Sequence, residues 1–295
     1  MRSSKSPSTA RALALALFSA GTLAIPIEFA IPKLFPYTGS VDDTIEFPEE
    51  SNHRLGELAQ PKICAPELTS YSGYFHVGGS SDGARGSDSS TEKSDDGIKY
   101  FFWFFQANHT TPSSLPTVLW LTGGPGCSSL IALLSENGPC TVTEDGKHTK
   151  VNPYSWTQFA NVIWLDQPTG TGFSEGNLSD FVSSEHPIAK HGYHFLQHFF
   201  TRFPEFNHNV HIVGESYGGH YVPVLTRKIY DMNNRHSQRS GLLARFLEFF
   251  GLGQKGVEDD EKSSGGQRGY ARKIDLKGFA IGNGLTNPEV EENRV

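Results

Sequence analysis

Three short, continuously apolar runs constrain the fold of this chain most. They are TVLWL (residues 117–121), NVIWL (161–165) and VHIV (210–213). Runs of this length without polar alternation are typical of strands that are buried on both faces, as in a parallel sheet. The stretches at 184–204 and 220–232 carry apolar residues at helical spacing. Strands separated by helices predict an α/β fold with a mostly parallel central sheet and flanking helices.

The rest of the chain adds strands and two predicted insertions. Further strands are predicted in YSGYFHV (71–77), IKYFFWFFQ (98–106) and IDLKGFAIGNG (274–284). Residues from about 78 to 97 contain almost no apolar side chains and predict a disordered hairpin insertion. Residues 233–272 are polar and glycine-rich around an apolar island at 242–253. We predict a second, disordered insertion there, whose island forms either a helix docked on its own domain or an amphipathic helix on a membrane or partner.

The N-terminus predicts a signal peptide over residues 1–24. Three basic residues precede the apolar run ALALALF: Arg2, Lys5 and Arg11. Small residues follow, with candidate cleavage sites near Ala20 and Ala24. The alternative is a membrane anchor, but a span needs about 20 apolar residues. The predicted catalytic domain covers residues 45–295, and no stable membrane span is expected after cleavage.

Other features agree with a secretory route. Asn108 and Asn177 each begin an Asn-x-Ser/Thr sequence, the acceptor for glycosylation. Cys64, Cys127 and Cys140 would tend to pair in an oxidising compartment, and an odd count leaves at least one thiol free or paired elsewhere. The formal net charge of −7 argues against a nucleic-acid partner. No cysteine and histidine cluster suggests a metal, and no cofactor is expected.

Ser216 is a candidate nucleophile. It lies in VHIVGESYGGHYVP, where an apolar strand is followed by Gly-x-Ser-x-Gly and then by a helical pattern. This strand–turn–helix is the setting of a nucleophile elbow, whose sharp turn requires small neighbours. Gly214 and Gly218 meet that requirement because they lack side chains. The alternative is a glycine-rich turn that happens to contain a serine.

Five longer motifs occur in order: WLTGGPGCSSL, NPYSW, NVIWLDQPTGTGFS, GESYGGHYVP and KGFAIGNGLTNP. Together they resemble the serine carboxypeptidase family of α/β-hydrolases over roughly residues 58–288. The resemblance implies that Ser216 is the nucleophile. It also implies that the backbone N–H groups of Gly124 and Tyr217 form the oxyanion hole, which stabilises charge on the carbonyl oxygen.

The resemblance further implies that Thr122, Gly123 and Glu215 receive the C-terminal carboxylate of a substrate. Two carboxyl groups in one site share a proton most easily in acid, which suits an acidic compartment. The family usually has asparagine where this chain has Thr122, so we expect weakened or redistributed carboxylate binding. It usually has alanine where this chain has Gly219. We expect this change to have little effect other than a loss of local backbone stiffness.

The general base and its orienting carboxylate are not evident in the sequence. After Ser216 the only histidines are His220 and His236. The available aspartates are Asp231, Asp259, Asp260 and Asp275. In the family both partners follow GNGLTNP, on loops after later strands, and so does the disulfide partner of the cysteine that Cys127 resembles. The resemblance therefore implies a chain that is truncated before the last strands and has little or no activity as written.

The expected family function is release of C-terminal residues from peptides and proteins at acidic pH through an acyl-enzyme on Ser216. Two alternatives stay open: a related serine acyltransferase or esterase, and a non-catalytic truncated product. A vacuolar or lysosomal location and an extracellular one are both compatible with the sequence, which does not indicate an oligomeric state.

Overall fold

The computed structural model describes residues 25–26, 58–78, 97–249 and 272–287, with side chains up to residue 235 in the last helix. The strands are β1 (Ile25–Pro26), β2 (Ser70–Gly78), β3 (Ile98–Phe105), β4 (Thr117–Leu121), β5 (Cys140–Val142), β6 (Thr149–Val151), β7 (Asn161–Leu165), β8 (Val210–Glu215) and β9 (Leu276–Gly282). The α-helices are α1 (Leu130–Ser135), α2 (Glu185–Arg202) and α3 (Gly218–Phe249). Short 3₁₀ helices occupy Pro112–Ser114, Trp156–Gln158, Leu178–Asp180 and Pro204–Phe206.

The main sheet has the strand order β1-β9-β8-β4-β7-β3-β2. Its central strands β9, β8, β4 and β7 are parallel, and β3, β2 and β1 are antiparallel to their neighbours. In the centre, Leu119 of β4 lies between Ile163 of β7 and Ile212 of β8. The predicted α/β fold with a parallel centre and flanking helices is therefore confirmed, as are the predicted strands and helices.

The two faces of the sheet build two cores. Leu119 and Leu121 of β4 belong to the core that includes α2 and α3, whereas Val118 and Trp120 belong to the core that includes α1. This alternation is expected because successive side chains of a strand point to opposite faces. The helical side of the first core contributes Phe195, Phe199, Phe200, Tyr221, Val222 and Leu225. Helices on both faces explain why the strand sequences are apolar without alternation.

The parallel strands point their carboxyl ends toward one edge of the sheet, where the loops at 122–129, 166–174 and 283–287 and the turn at Ser216 follow them. In open α/β sheets this edge is the usual place for ligand binding. It brings together four of the motifs that the sequence singled out.

The second predicted insertion begins differently from expectation. Residues 233–241, where disorder was expected, continue α3, and the helix runs on to Phe249 through most of the apolar island, for which a helix was predicted. The physical reason is that this stretch contains no proline, and extending a formed helix costs much less than starting one. Outside the described residues lie the predicted signal peptide at 1–24, residues 79–96 of the first predicted insertion and residues 250–271 of the second.

Several elements were not predicted. The hairpin of β5 and β6, helix α1 and the two-residue strand β1, which pairs with β9, are short and carry little periodic signal. Cys64 and Cys140 form a disulfide with a Cα–Cα distance of 5.5 Å, and the thiol of Cys127 is free and exposed. Among the helices of the described part of the chain, none combines the length and apolar character needed to cross a membrane.

Candidate active site

Ser216 occupies the turn between β8 and α3. It is exposed, and its φ of +57° places it in the left-handed region that non-glycine residues rarely adopt. The turn needs this conformation because the chain reverses within two residues, from Glu215 at the end of β8 to Gly218 at the start of α3. Ser216 therefore has the strained backbone of a nucleophile elbow.

The loop after β9 holds this strained residue on both sides. The N–H of Ser216 donates to the carbonyl of Gly282 at 3.1 Å, and the N–H of Leu285 donates to the carbonyl of Ser216 at 2.7 Å. A third bond, from the N–H of Gly219 to the same carbonyl at 2.9 Å, begins α3. These bonds offset the backbone strain, because buried backbone groups left unpaired cost free energy.

Gly123 packs directly against the elbow. A Cβ atom at this position would lie 2.5 Å from the backbone nitrogen of Tyr217, 2.7 Å from the carbonyl oxygen of Glu215 and 2.8 Å from Cβ of Ser216. The following Gly124 has a φ of +110°, which favours glycine. The structure thus brings the two segments of the expected oxyanion hole together, since Gly123, which precedes Gly124, lies beside the backbone nitrogen of Tyr217.

Thr122 is held by two polar contacts. Its hydroxyl oxygen accepts from the indole N–H of Trp120 at 3.0 Å, and its backbone N–H donates to the hydroxyl of Ser129 at 3.1 Å. The structure therefore places Thr122 next to Gly123, as expected, but gives its side-chain oxygen an internal partner.

Glu215 is paired with Glu136, which sequence reasoning did not identify. Glu136 follows α1 as its C-cap residue, and its side chain is hydrogen-bonded to that of Glu215. Partial burial raises the pKa of Glu136, and the charge of Glu215 and the hydrogen bond to it raise the pKa further. Two carboxyl groups that share a hydrogen bond must share a proton, so one member of this pair is a donor in acid.

His220 contacts groups other than the serine hydroxyl. Its ring stacks on Tyr217 with centroids 4.5 Å apart, and its Nδ1 lies 3.7 Å from a carboxylate oxygen of Glu185 at the start of α2. Burial and Glu185 raise the pKa of the Tyr217 hydroxyl. The geometry supports the expectation that His220 does not reach over Ser216.

The other candidate partners of Ser216 are engaged elsewhere or lie outside the described residues. Asp231 pairs with Arg227 at 2.8 Å, one turn away on α3. Asp275 pairs with Lys277 at 2.7 Å and precedes β9, at the opposite end of the sheet. The side chain of His236 and both Asp259 and Asp260 are not among the described side chains.

The two asparagines predicted as glycosylation sites are exposed. Asn108 follows β3, and Asn177 precedes the 3₁₀ helix at 178–180. Both are accessible to modification, which stays a prediction.

The structure corrects the expectation for Gly219. A Cβ atom there would lie 2.4 Å from the carbonyl oxygen of Leu285 and 2.9 Å from the side-chain methyl of Thr286. Glycine is thus required by the close approach of the loop after β9, and the change from the alanine usual in the resembled family is not neutral.

We expect Gly219→Ala to destabilise the protein by about 1–3 kcal/mol, because the loop must move or the helix must shift. This loss should appear even though alanine is intrinsically favoured over glycine in a helix by up to about 1 kcal/mol. Urea unfolding measures it, with Gly282→Ala as the control, since a Cβ atom there meets no atom within 4 Å. A Gly219→Ala protein as stable as the parent would contradict the packing of this loop.

Comparisons with known proteins identify a family for this chain. The family model for serine carboxypeptidase matches residues 61–248. The chain is 38% identical over 195 residues to Serine carboxypeptidase-like 47 of Arabidopsis thaliana, a match that covers 65% of this chain and 32% of that protein. It is 40% identical over 192 residues to carboxypeptidase Y of Schizosaccharomyces pombe, with coverage of 65% and 17%.

A solved structure of a carboxypeptidase also matches this chain. The crystal structure of Kex1Δp, a prohormone-processing carboxypeptidase from Saccharomyces cerevisiae, matches with a TM-score of 0.55 and 27% sequence identity, over 77% of this chain and 41% of that chain. The chain spans about a third or less of the two curated relatives named above. Since the family match covers most of the chain and contains both the elbow and the Gly123 segment, the chain belongs to the serine carboxypeptidase family.

Proposed function

We propose that this protein is a serine carboxypeptidase that releases C-terminal residues from peptides and proteins in acid. The observation that carries the proposal is the carboxyl pair of Glu136 and Glu215 beside the exposed, strained Ser216. An exopeptidase must recognise a terminal carboxylate, and a proton-sharing carboxyl pair next to the nucleophile supplies a donor for it in acid.

In the proposed reaction the hydroxyl oxygen of Ser216 attacks the carbonyl carbon of the last peptide bond. Charge develops on the carbonyl oxygen and is stabilised by the backbone N–H groups of Gly124 and Tyr217. The C–N bond then breaks, the terminal amino acid leaves with a proton as its amine, and the acyl group stays on Ser216 until water releases it. We assign the general base that moves these protons to none of the described residues.

The carboxyl pair predicts how binding depends on pH. Below the raised pKa of Glu136 its carboxyl group is protonated and donates to the substrate carboxylate; above it Glu136 is ionised and repels that carboxylate. Losing a charge-assisted hydrogen bond costs about 1.5–3 kcal/mol, so we expect KM for a peptide with a free C-terminus to rise about tenfold or more as the pH increases through the raised pKa of Glu136. A Glu136→Gln protein, whose amide stays neutral, should show a flatter profile.

Steady-state kinetics on a blocked dipeptide and on the corresponding C-terminal amide would test this prediction. Glu205→Gln is the matched control, because Glu205 is an exposed glutamate in the 3₁₀ helix at 204–206, before β8. Equal turnover of acid and amide would refute recognition of the terminal carboxylate. A KM for the free acid that does not change with pH would refute the role of the pair.

A second candidate function is ester hydrolysis or acyl transfer. The observation that favours it is Thr122: its hydroxyl oxygen accepts from Trp120 and keeps a single O–H donor for a substrate carboxylate, where asparagine would offer two N–H donors. Faster turnover of simple acyl esters than of the blocked dipeptide would support this alternative.

We further propose that the protein enters the secretory pathway, ending in a vacuole or lysosome or outside the cell. The disulfide between Cys64 and Cys140 supports an oxidising route. One relative, 39% identical over 161 residues, is named lysosomal protective protein in Mus musculus. Cleavage after the predicted signal peptide would be tested by N-terminal sequencing of the mature protein.

A further inference from the structure

A buried carboxylate outside the proposed reaction lies beneath the site. Asp166 directly follows β7 at the carboxyl edge of the sheet, and it is 1% exposed. Charged side chains are rarely buried to this degree unless hydrogen bonds compensate for the lost hydration. Burial raises the pKa of Asp166, and its hydrogen bonds, that from Ser128 first, act in the opposite direction.

Both oxygens of Asp166 accept hydrogen bonds from neighbouring loops. Oδ1 accepts from the hydroxyl of Ser128 at 2.6 Å and from the N–H of Ser129 at 2.9 Å. Oδ2 accepts from the N–H of Phe173 at 3.0 Å. Gly172, with a φ of +56°, makes room for the carboxylate, since a Cβ there would lie 2.0 Å from Oδ2. The carboxylate of Asp166 therefore links the loops at 122–129 and 166–174 through hydrogen bonds.

The loop at 122–129 contains the segment of the proposed oxyanion hole. The hydroxyl oxygen of Ser129 accepts the N–H of Thr122 at 3.1 Å, and the N–H of Cys127 donates to the carbonyl of Gly123 at 3.2 Å. The position of Thr122 and Gly123 thus depends on where Ser129 is held. Asp166 holds Ser129 through its backbone N–H, which leaves the hydroxyl of Ser129 available to Thr122.

Asp166 also affects the position of Glu136, through helix α1. Helix α1 begins at Leu130, immediately after Ser129, and has only six residues before Glu136. So short a helix has little stability of its own and keeps its place through tertiary contacts. Fixing the start of α1 therefore fixes where Glu136 meets Glu215.

We propose that Asp166 is a positioning residue for the Thr122–Gly124 segment and for Glu136, acting through Ser129. This inference rests on the proposed function for its catalytic consequence, although the positioning itself can be measured without it. A carboxylate is required because donors approach both oxygens, and an asparagine offers one acceptor oxygen and turns its amide N–H₂ toward a donor.

The test is Asp166→Asn in the full chain, compared with Asp275→Asn. Asp275 also accepts a backbone N–H, that of Asn209 at 2.8 Å, but it precedes β9 at the other end of the sheet. We expect Asp166→Asn to lower kcat about 100-fold per folded molecule, because a displaced oxyanion donor affects the transition state. Asp275→Asn should lower stability but leave kcat unchanged.

Amide hydrogen exchange gives a readout that does not need activity. We expect the amides of Thr122, Gly123 and Gly124 to exchange about tenfold faster in Asp166→Asn than in the parent, with the amides of β8 unaffected, and no such change in Asp275→Asn. If the parent has neither peptidase activity nor a reactive Ser216, the proposed function fails, and exchange alone decides the positioning.

Should Asp166→Asn fail to fold, Ser129→Ala carries the test, since it removes the acceptor of the Thr122 N–H together with a long hydrogen bond, 3.5 Å, from the same hydroxyl to the carbonyl of Trp120. The same changes in exchange and kcat, smaller in size, are expected. The proposal is overturned if kcat and the exchange rates of the amides of residues 122–124 both match the parent in whichever of the two variants folds. It is also overturned if Asp275→Asn lowers kcat as much as Asp166→Asn does.

Discussion

Ser216→Gly is expected to abolish covalent labelling by a fluorophosphonate and peptide hydrolysis while making the protein more stable. The hydroxyl is the proposed nucleophile, so its loss removes the acyl-enzyme. The φ of +57° at Ser216 costs a residue with a Cβ about 1–2 kcal/mol, which glycine does not incur. After allowing for the greater freedom of glycine in the unfolded chain, we expect a net gain of about 1 kcal/mol, measured by urea unfolding.

Two matched variants separate chemistry from backbone strain. Ser216→Ala should abolish labelling equally but leave the free energy of unfolding within about 0.5 kcal/mol, because alanine keeps the strained φ. Asn209, at the other end of β8, has a φ of +50°, so Asn209→Gly tests relief of strain with labelling intact. Labelling that persists in Ser216→Ala would show that another residue is the nucleophile, and a less stable Ser216→Gly would show that the elbow is not strained.

The sheet was predictable from the sequence because its central strands are buried on both faces. TVLWL and NVIWL are apolar without interruption, and no other element accounts for such short runs flanked by turn residues. Helix α2 was predictable because its phenylalanines recur at helical spacing and Pro204 follows it. By contrast α1 has six residues, too few for a periodic pattern, and its place is set by Asp166, which is distant in sequence.

Within the site, the motifs predicted which segments meet but not all the contacts between them. Ser216 was identified from its Gly-x-Ser-x-Gly motif after an apolar strand, whereas Gly123 and Tyr217 were implied by the resemblance of their motifs to the serine carboxypeptidase family. Glu136 was missed because nothing local distinguishes it from a solvated glutamate; its role arises only from contact with Glu215, across the fold. The close approach of Leu285 to Gly219 was missed for the same reason, since a backbone contact between distant segments leaves no pattern beyond the glycine itself.

Gly123→Ala is expected to lower both the stability of the protein and kcat. Its Cβ would lie at 2.5–2.8 Å from three elbow atoms, those of Glu215, Ser216 and Tyr217. Two of these are backbone atoms in a turn that is hydrogen-bonded on both sides, so none can rotate away. The two segments must therefore separate, which we expect to cost about 1–3 kcal/mol of stability. Separation also moves the Tyr217 N–H from the developing oxyanion, and removing one such donor typically lowers kcat about 100- to 1,000-fold.

Gly282→Ala is the matched control, because Gly282 lies at the end of β9, beside the elbow, and a Cβ there meets no atom within 4 Å. That variant should keep the stability and kcat of the parent, so a loss confined to Gly123→Ala would locate the effect in the contact rather than in the added methyl. Measuring kcat at a temperature where both variants are fully folded separates the loss of the oxyanion donor from the loss of stability. Unchanged kcat in a folded Gly123→Ala protein would mean that the Gly123 segment does not form the oxyanion hole, and that the donor opposite Tyr217 must be sought on another loop at this edge of the sheet.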